Sequence, residues 1–309
     1  MTDDSIYRLK SGRCELVVDA AHGASLTSFR WRKPDGDWFE ILHSCPPAQV
    51  ALTGGSFVMV PFANRLDAGR FPSPDGPVEV PVNRPEQNMA LHGFSRDRAW
   101  QVTEATESTL TLVDDFAHES IPFAYRLVQH ISIGPDGAKL TLILTNTADR
   151  ALPYGMGFHP WFRKDEDTWL RFDAETGFGR DQRGFPAGPV PADNGPPFAH
   201  GLDTSTMPWF DGHFAGWASR RAVVEWRQAG VSMTLSATGV LTNLHVYVPD
   251  DRPILCVEPV SHVPDVHNRR ELAGYGDLAW LAPGETIEGS MTLRCGSPEV
   301  AGAETPPKG

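Results

Sequence analysis

Five short polar clusters interrupt an otherwise apolar, turn-rich sequence, and each pairs an ionisable side chain with Gly, Pro or an aromatic residue. The first is Pro61-Phe62-Ala63-Asn64-Arg65-Leu66, with Gly69-Arg70-Phe71 just after it. Leu91-His92-Gly93-Phe94 is the second, and Gly155-Met156-Gly157-Phe158-His159-Pro160-Trp161-Phe162 the third. The fourth, Phe210-Asp211-Gly212-His213-Phe214, runs on to Gly216-Trp217. The fifth, Leu255-Cys256-Val257-Glu258-Pro259, leads into Pro264-Asp265-Val266-His267-Asn268. A carboxylate and imidazoles brought together supply a base and an acid for proton transfer. Arginine and carboxylate side chains beside them could hold a polar substrate by charge-assisted hydrogen bonds. Glu258 closes an apolar run, where a carboxylate needs partners or carries a raised pKa.

Each cluster taken alone also has a purely structural reading. Arg65 beside Asn64 can pin a turn, His92 can be a loop histidine, and His159 can be a buried, hydrogen-bonded one. Asp211 before a glycine favours a turn. His262 and His267 flank Asp265, but their spacing fits no zinc template, so no metal is expected. The familiar phosphate-cradling glycine motifs, the G-x-S-x-G elbow and H-E-x-x-H are all missing from the sequence.

The elements that must position these groups read as strands. Strand signals cover 14–18, 25–31, 38–42, 109–113, 124–133, 139–145, 222–226, 231–236, 243–248, 254–258 and 287–294. Gly134-Pro135-Asp136-Gly137 marks the turn of a long hairpin. A short helical signal falls on 269–272, and 184–197 reads as a long Gly/Pro-rich loop. These features predict an all-β sandwich or barrel in which the polar clusters project from the rim of a sheet. One domain over 1–309 is expected, with a frayed tail at 296–309.

Composition narrows the function classes. Among 309 residues, 27 Lys and Arg stand against 39 Asp and Glu, a formal charge of −12. So acidic a chain argues against nucleic acid or an anionic membrane as partner. No apolar stretch is long enough to span a bilayer, and the N-terminus lacks a secretory apolar region. Cys14, Cys45, Cys256 and Cys295 form no C-x-x-C pair and read as reduced thiols of an intracellular protein. A cytoplasmic protein is expected, and the sequence assigns no oligomeric state.

In this order, the five clusters resemble the motifs of the aldose 1-epimerase (galactose mutarotase) family over about residues 23–293. Asn64-Arg65 is similar to the family's Asn-Arg motif, Leu91-His92-Gly93 to its first histidine motif, and His159-Pro160-Trp161-Phe162 to its second. Asp211 fits the family's Leu-Asp segment with Phe210 in place of Leu, and the stretch through Glu258 resembles the one carrying the essential glutamate. Pro264, Asp265 and Asn268 match the Pro-Asp-x-x-Asn that follows.

The resemblance implies a large twisted antiparallel β-sandwich of the galactose mutarotase-like supersandwich type. It implies interconversion of the α and β anomers of a free aldose by ring opening, rotation and reclosure, without cofactor or metal. Glu258 would be the base, and His159 the acid, protonated at rest. His92 would steady the ring oxygen or share the acid role. Arg65, Asn64, Asp211 and Trp161 would bind the sugar, with Trp209 and Trp217 as further aromatic candidates and Trp100 and Trp226 as core. The His-Gly-Phe-x-Arg continuation after His92 also resembles a hexose-6-phosphate 1-epimerase branch, in which Arg96 or Arg98 would meet the phosphate. Two further readings are a non-catalytic sugar-binding protein, which needs no acid–base pair, and a related enzyme on an acidic sugar, with Arg65 or Arg96 as the extra cation.

Overall fold

A computed structural model describes residues 5–50 and 53–298. Every ladder between strands of the described residues is antiparallel, and two large sheets dominate. One sheet of nine strands runs in the order Gln101–Ala105, Thr109–His118, Ile121–Gly134, Gly137–Asn146, Thr286–Gly296, Val231–Gly239, Arg221–Trp226, Thr168–Phe172 and Leu202–Asp203. Ile121–Gly134 and Gly137–Asn146 form the predicted hairpin, with Gly134 opposite Gly137 across the Pro135-Asp136 turn. Phe123, Tyr125, Leu127, Ile131 and Ile133 are buried, whereas Arg126, His130 and Ser132 between them are exposed. That period of two is what a sheet with one face on the core and one in water requires.

The second sheet has eleven strands. Its order is Ile6–Ser11, Cys14–Asp19, Ser25–Arg32, Ser56–Met59, Gly157–Arg163, Ile254–Val260, Asn243–Val248, Phe210–Ala215, Thr176–Arg180 and Pro186–Pro191, with Trp38–Glu40 paired to Ser25–Arg32. The middle of this sheet is buried on both faces: every residue of Ile254–Val260 is buried. Phe158, Phe162, Leu255, Val257, Leu244 and Val246 face the core shared with the first sheet. The other face carries polar side chains and is covered by the segments around the small ladder of Arg65–Asp67 with Met89–Leu91.

Three expectations change. Residues 184–197 are not one loop, because Pro186–Pro191 forms a strand on Thr176–Arg180. It lies at the sheet edge, where prolines that lack an N–H are tolerated. The helical signal at 269–272 becomes a 3₁₀ helix, Arg270–Tyr275. At the C-terminus the strand continues through Gly296, and residues 299–309 of the expected tail lie outside the described residues. Among the described residues no helix is long and apolar enough to cross a membrane.

Candidate active site

Pairing register aligns the site across the middle of the eleven-stranded sheet. His159 sits opposite Phe57, Glu258 opposite His245, and His245 opposite His213, which in turn faces Phe178. The ladder that pairs Gly157 with Val260 and Trp161 with Cys256 brings His159 against Glu258. One row therefore reads Phe57, His159, Glu258, His245, His213, Phe178 over six adjacent strands. Two residues along, a second row holds Trp161, Cys256, Tyr247 and Asp211. These groups stand within strands, not at the rim that the sequence suggested. A rim position would leave them in water, whereas mid-sheet placement under a covering loop removes them from it.

Asn64 and His92 reach this face from the covering segments. Both adopt left-handed backbone, with φ of 61° and 64°. Asn and His are among the residues that tolerate this region, which is rare elsewhere and common at functional sites. The two segments lock together: His92 N–H donates to Asn64 O at 2.9 Å, and Asn64 N–H donates to His92 Nδ1 at 3.2 Å. Gly93, at φ 66°, lies so close to the Val60 carbonyl that a Cβ would collide with it. Because Nδ1 accepts, the proton of a neutral His92 is on Nε2, leaving that nitrogen as a donor.

The central contact is His159 Nε2 to Glu258 Oε1 at 3.3 Å. Phe57 stacks on His159 with ring centroids 4.5 Å apart, and His92 meets it edge-on at 5.1 Å. Glu258 is 1% exposed, and its Oε2 has no hydrogen-bond partner. Burial, helped by the negative charge of Asp211 and opposed by Arg65, pushes the Glu258 carboxyl well above its ordinary range. The same burial, with the charges of His245 and Arg96, pushes His159 down to about 3. Both shifts work against the carboxylate and imidazolium that the sequence led us to expect and favour the neutral form of each group. The attraction of Asp211 for an imidazolium is present but outweighed. His92 is held neutral too, by burial first and then by His159, Arg96 and Arg65.

Asp211 anchors a second cluster. It accepts from His245 Nε2 at 2.7 Å, lies 3.5 Å from Arg65 Nη2, and forms a close ion pair with Arg180. Burial alone would raise its carboxyl, but the hydrogen bond and charge of His245, with Arg65 and Arg180, hold it well below the ordinary range. Asn64 joins this cluster, its Oδ1 accepting from Arg65 Nη1 at 3.0 Å and its Nδ2 lying 3.3 Å from His245 Nε2. Arg65 and Arg180, with Trp209, line an adjacent cavity of about 600 Å³.

All seven of the predicted site residues, Glu258, His159, His92, Arg65, Asn64, Asp211 and Trp161, come together. Trp161 is 6% exposed and packs on Ile254 and Cys256, 5.7 Å from the His159 ring, so it supports that ring more than it offers an open face. Trp209 does offer one, at 49% exposure, with the Arg180 guanidinium 5.3 Å from its ring. Trp217 belongs to the core, its indole N–H donating to Arg221 O at 3.0 Å, and Trp100 and Trp226 are core as expected. Arg96 and Arg98 part company. The Arg96 guanidinium lies 5.7 Å from the Phe57 ring and acts on both His92 and His159. Arg98 is tied to Asp114 at 2.8 Å.

His245, Arg180 and Phe57 escaped the sequence reading. His245 left a signal, since Asn243, His245 and Tyr247 alternate with Leu244, Val246 and Val248 on a strand that was read correctly. Arg180 left none, being a lone arginine after Gly179.

Residues 5–294 match the family model for aldose 1-epimerase. The chain is 30% identical over 299 residues to an Escherichia coli (strain K12) protein called "Uncharacterized protein YphB", covering 94% of this chain and 98% of that one. Among solved structures it is similar to a putative aldose 1-epimerase from Escherichia coli K12, with TM-score 0.84 and 28% identity over 95% of this chain and 99% of the other. A galactose mutarotase-like protein from Clostridium acetobutylicum shares the fold, with TM-score 0.83 and 17% identity over 94% and 95% of the two chains.

Proposed function

The chain belongs to the aldose 1-epimerase family, and from that premise we propose that it interconverts the α and β anomers of a free aldose, using Glu258 and His159 as its acid–base pair. The observation that carries this reading is the buried 3.3 Å contact between them, with Glu258 Oε2 left unpartnered. Ring opening removes a proton from the anomeric hydroxyl and delivers one to the ring oxygen, and reclosure does the reverse. In this reading the pair shares one proton, which rests on Glu258. Its transfer from Glu258 to His159 yields a carboxylate base and an imidazolium acid without net charge change. Sugar hydroxyls donating to Glu258 Oε2 would favour that transfer by stabilising the carboxylate. Glu258 then takes the anomeric proton while His159 donates to the ring oxygen. After rotation about C1–C2, reclosure on the other face restores both groups.

In this reading His92 donates a neutral hydrogen bond from Nε2 and does not carry the transferred proton. Asp211, fixed as a carboxylate, holds sugar hydroxyls together with Arg65 and Asn64. The cytoplasm, with a small-molecule sugar as partner and neither nucleic acid nor membrane, is the setting we propose.

A second reading has one observation in its favour. Arg96, whose Nε pairs with the exposed Asp97 at 3.1 Å, lies beside Phe57 of the site, so a 6-phosphorylated aldose could meet one arginine there, though not the two that the sequence offered, since Arg98 is bound to the buried Asp114. Measuring anomer exchange by polarimetry or NMR on a panel of free aldoses and sugar 6-phosphates separates the two. Exchange on free sugars above the spontaneous rate is expected. Exchange confined to the phosphates, and weakened by Arg96→Ala through KM, would shift the assignment, and binding without exchange would reject catalysis.

A further inference from the structure

The sequence expectation of no metal rests on spacing along the chain, but the sheet brings donors together across strands. Cys256 and Glu258 are two apart on Ile254–Val260 and so project on the same face. His159 comes from the neighbouring strand, Gly157–Arg163. One nitrogen, one sulfur and one oxygen ligand atom from the three residues lie within 4.8 Å of one another, and all three residues are buried.

We propose that His159, Cys256 and Glu258 form a binding site for one divalent cation of the zinc type, one that, if the mutarotase reading holds, competes with the sugar chemistry for the same pair. Zinc binds thiolate at about 2.3 Å and imidazole or carboxylate at about 2.0–2.2 Å. Tetrahedral geometry then separates donor atoms by about 3.3–3.8 Å. His159 Nε2 and Glu258 Oε1 already stand 3.3 Å apart, and with Cys256 Sγ within 4.8 Å of a ligand atom of each, closing on a shared ion takes shifts on the order of 1 Å. A mixed N, S and O set selects zinc over magnesium or calcium, which prefer oxygen ligands throughout. Charge also fits. Binding releases a proton from the Cys256 thiol and one from the Glu258 carboxyl, and the two anions formed neutralise a divalent cation. The buried site stays uncharged, avoiding the cost of an unpaired buried ion. Three protein ligands leave a fourth position open. A cation held there occupies both members of the acid–base pair, so the same atoms cannot exchange protons with a sugar.

The test reads the metal itself. Metal-free protein is titrated with Co²⁺, whose thiolate complexes absorb in the near ultraviolet, and zinc affinity is measured by competition with a chromophoric chelator. The expected result is a thiolate band saturating at one Co²⁺ per chain, with millimolar Mg²⁺ producing no change. Cys256→Ser should abolish the band and weaken zinc at least tenfold, whereas Cys45→Ser should change neither. Glu258→Gln should also weaken zinc at least tenfold, which keeps the test decisive if the Cys256 variant melts early. Saturation without a thiolate band, a band that follows Cys45, or zinc affinity untouched by both Cys256→Ser and Glu258→Gln would overturn the proposal. No arm measures anomer exchange, so failure of this site and failure of the mutarotase reading are separate outcomes.

Discussion

The two large sheets use the same strand chemistry to opposite ends. In Ile121–Gly134 and Gly137–Asn146 nearly every inward side chain is apolar and the outward ones meet water. In Gly157–Arg163 and Ile254–Val260 the core face is just as apolar, yet the opposite face is also buried and carries His159, Glu258 and Cys256. The first arrangement follows from the hydrophobic effect alone. The second opposes it, because a buried polar group costs free energy unless it is paired. Where a fold keeps such a row, with Glu258 Oε2 and His159 Nδ1 unpartnered, function is the economical explanation.

The sharpest way to break this contrast is at His159. His159→Asn should slow anomer exchange by about 10²–10⁴-fold, the usual contribution of a positioned acid or base. Its melting temperature should stay close to that of the parent. A rate within tenfold of the parent by NMR exchange would remove His159 from the chemistry. The mirror experiment truncates the other sheet. Leu142 is fully buried, and Leu142→Ala should cost about 2–5 kcal/mol in urea unfolding through the cavity it leaves. Exchange at a temperature where the variant remains folded should nonetheless match the parent. Comparable loss of rate would mean that the two sheets are not separable in function.

A smaller effect tests burial without catalysis. His267 is 5% exposed, packs against Phe71 with centroids 4.5 Å apart, and has no partner on either ring nitrogen. Burial, then the charges of His262 and Arg270, hold it well below the ordinary histidine pKa. The folded state therefore keeps His267 neutral while the unfolded chain takes up a proton below about pH 6.5, so its stability contribution is lost as pH falls. His267→Leu should gain on the parent by on the order of 1 kcal/mol between pH 7.5 and pH 5.5, read from urea midpoints. Parallel pH profiles would show that His267 finds a polar partner in solution.

The same contrast explains what was legible in the sequence. The hairpin about Gly134–Gly137 was readable because one wet face imposes alternation and the turn carries its own residues. Gly157–Arg163 was not among the strands read, because Gly157, His159 and Pro160 break the apolar run that the equally buried Ile254–Val260 shows. The site was legible through motif order, which assembled Asn64, Arg65, His92, His159, Asp211 and Glu258. Register was not. Nothing along the chain says that His245 stands between Glu258 and His213, or that Arg180 reaches Asp211. Burial was not legible either, and it shifts Glu258 up and His159 down, against the carboxylate and imidazolium expected from the motifs. Motifs name the groups, but burial decides where the proton sits.

Proton transfer is the task we propose for the buried row across the eleven-stranded sheet. Glu258→Gln tests it most directly, because it keeps the shape of the side chain while removing its capacity to act as base. Anomer exchange on the best free aldose should fall by at least about 10³-fold, with sugar binding still detectable by calorimetry or ligand-observed NMR. Exchange at the parental rate in a folded Glu258→Gln protein would contradict the account.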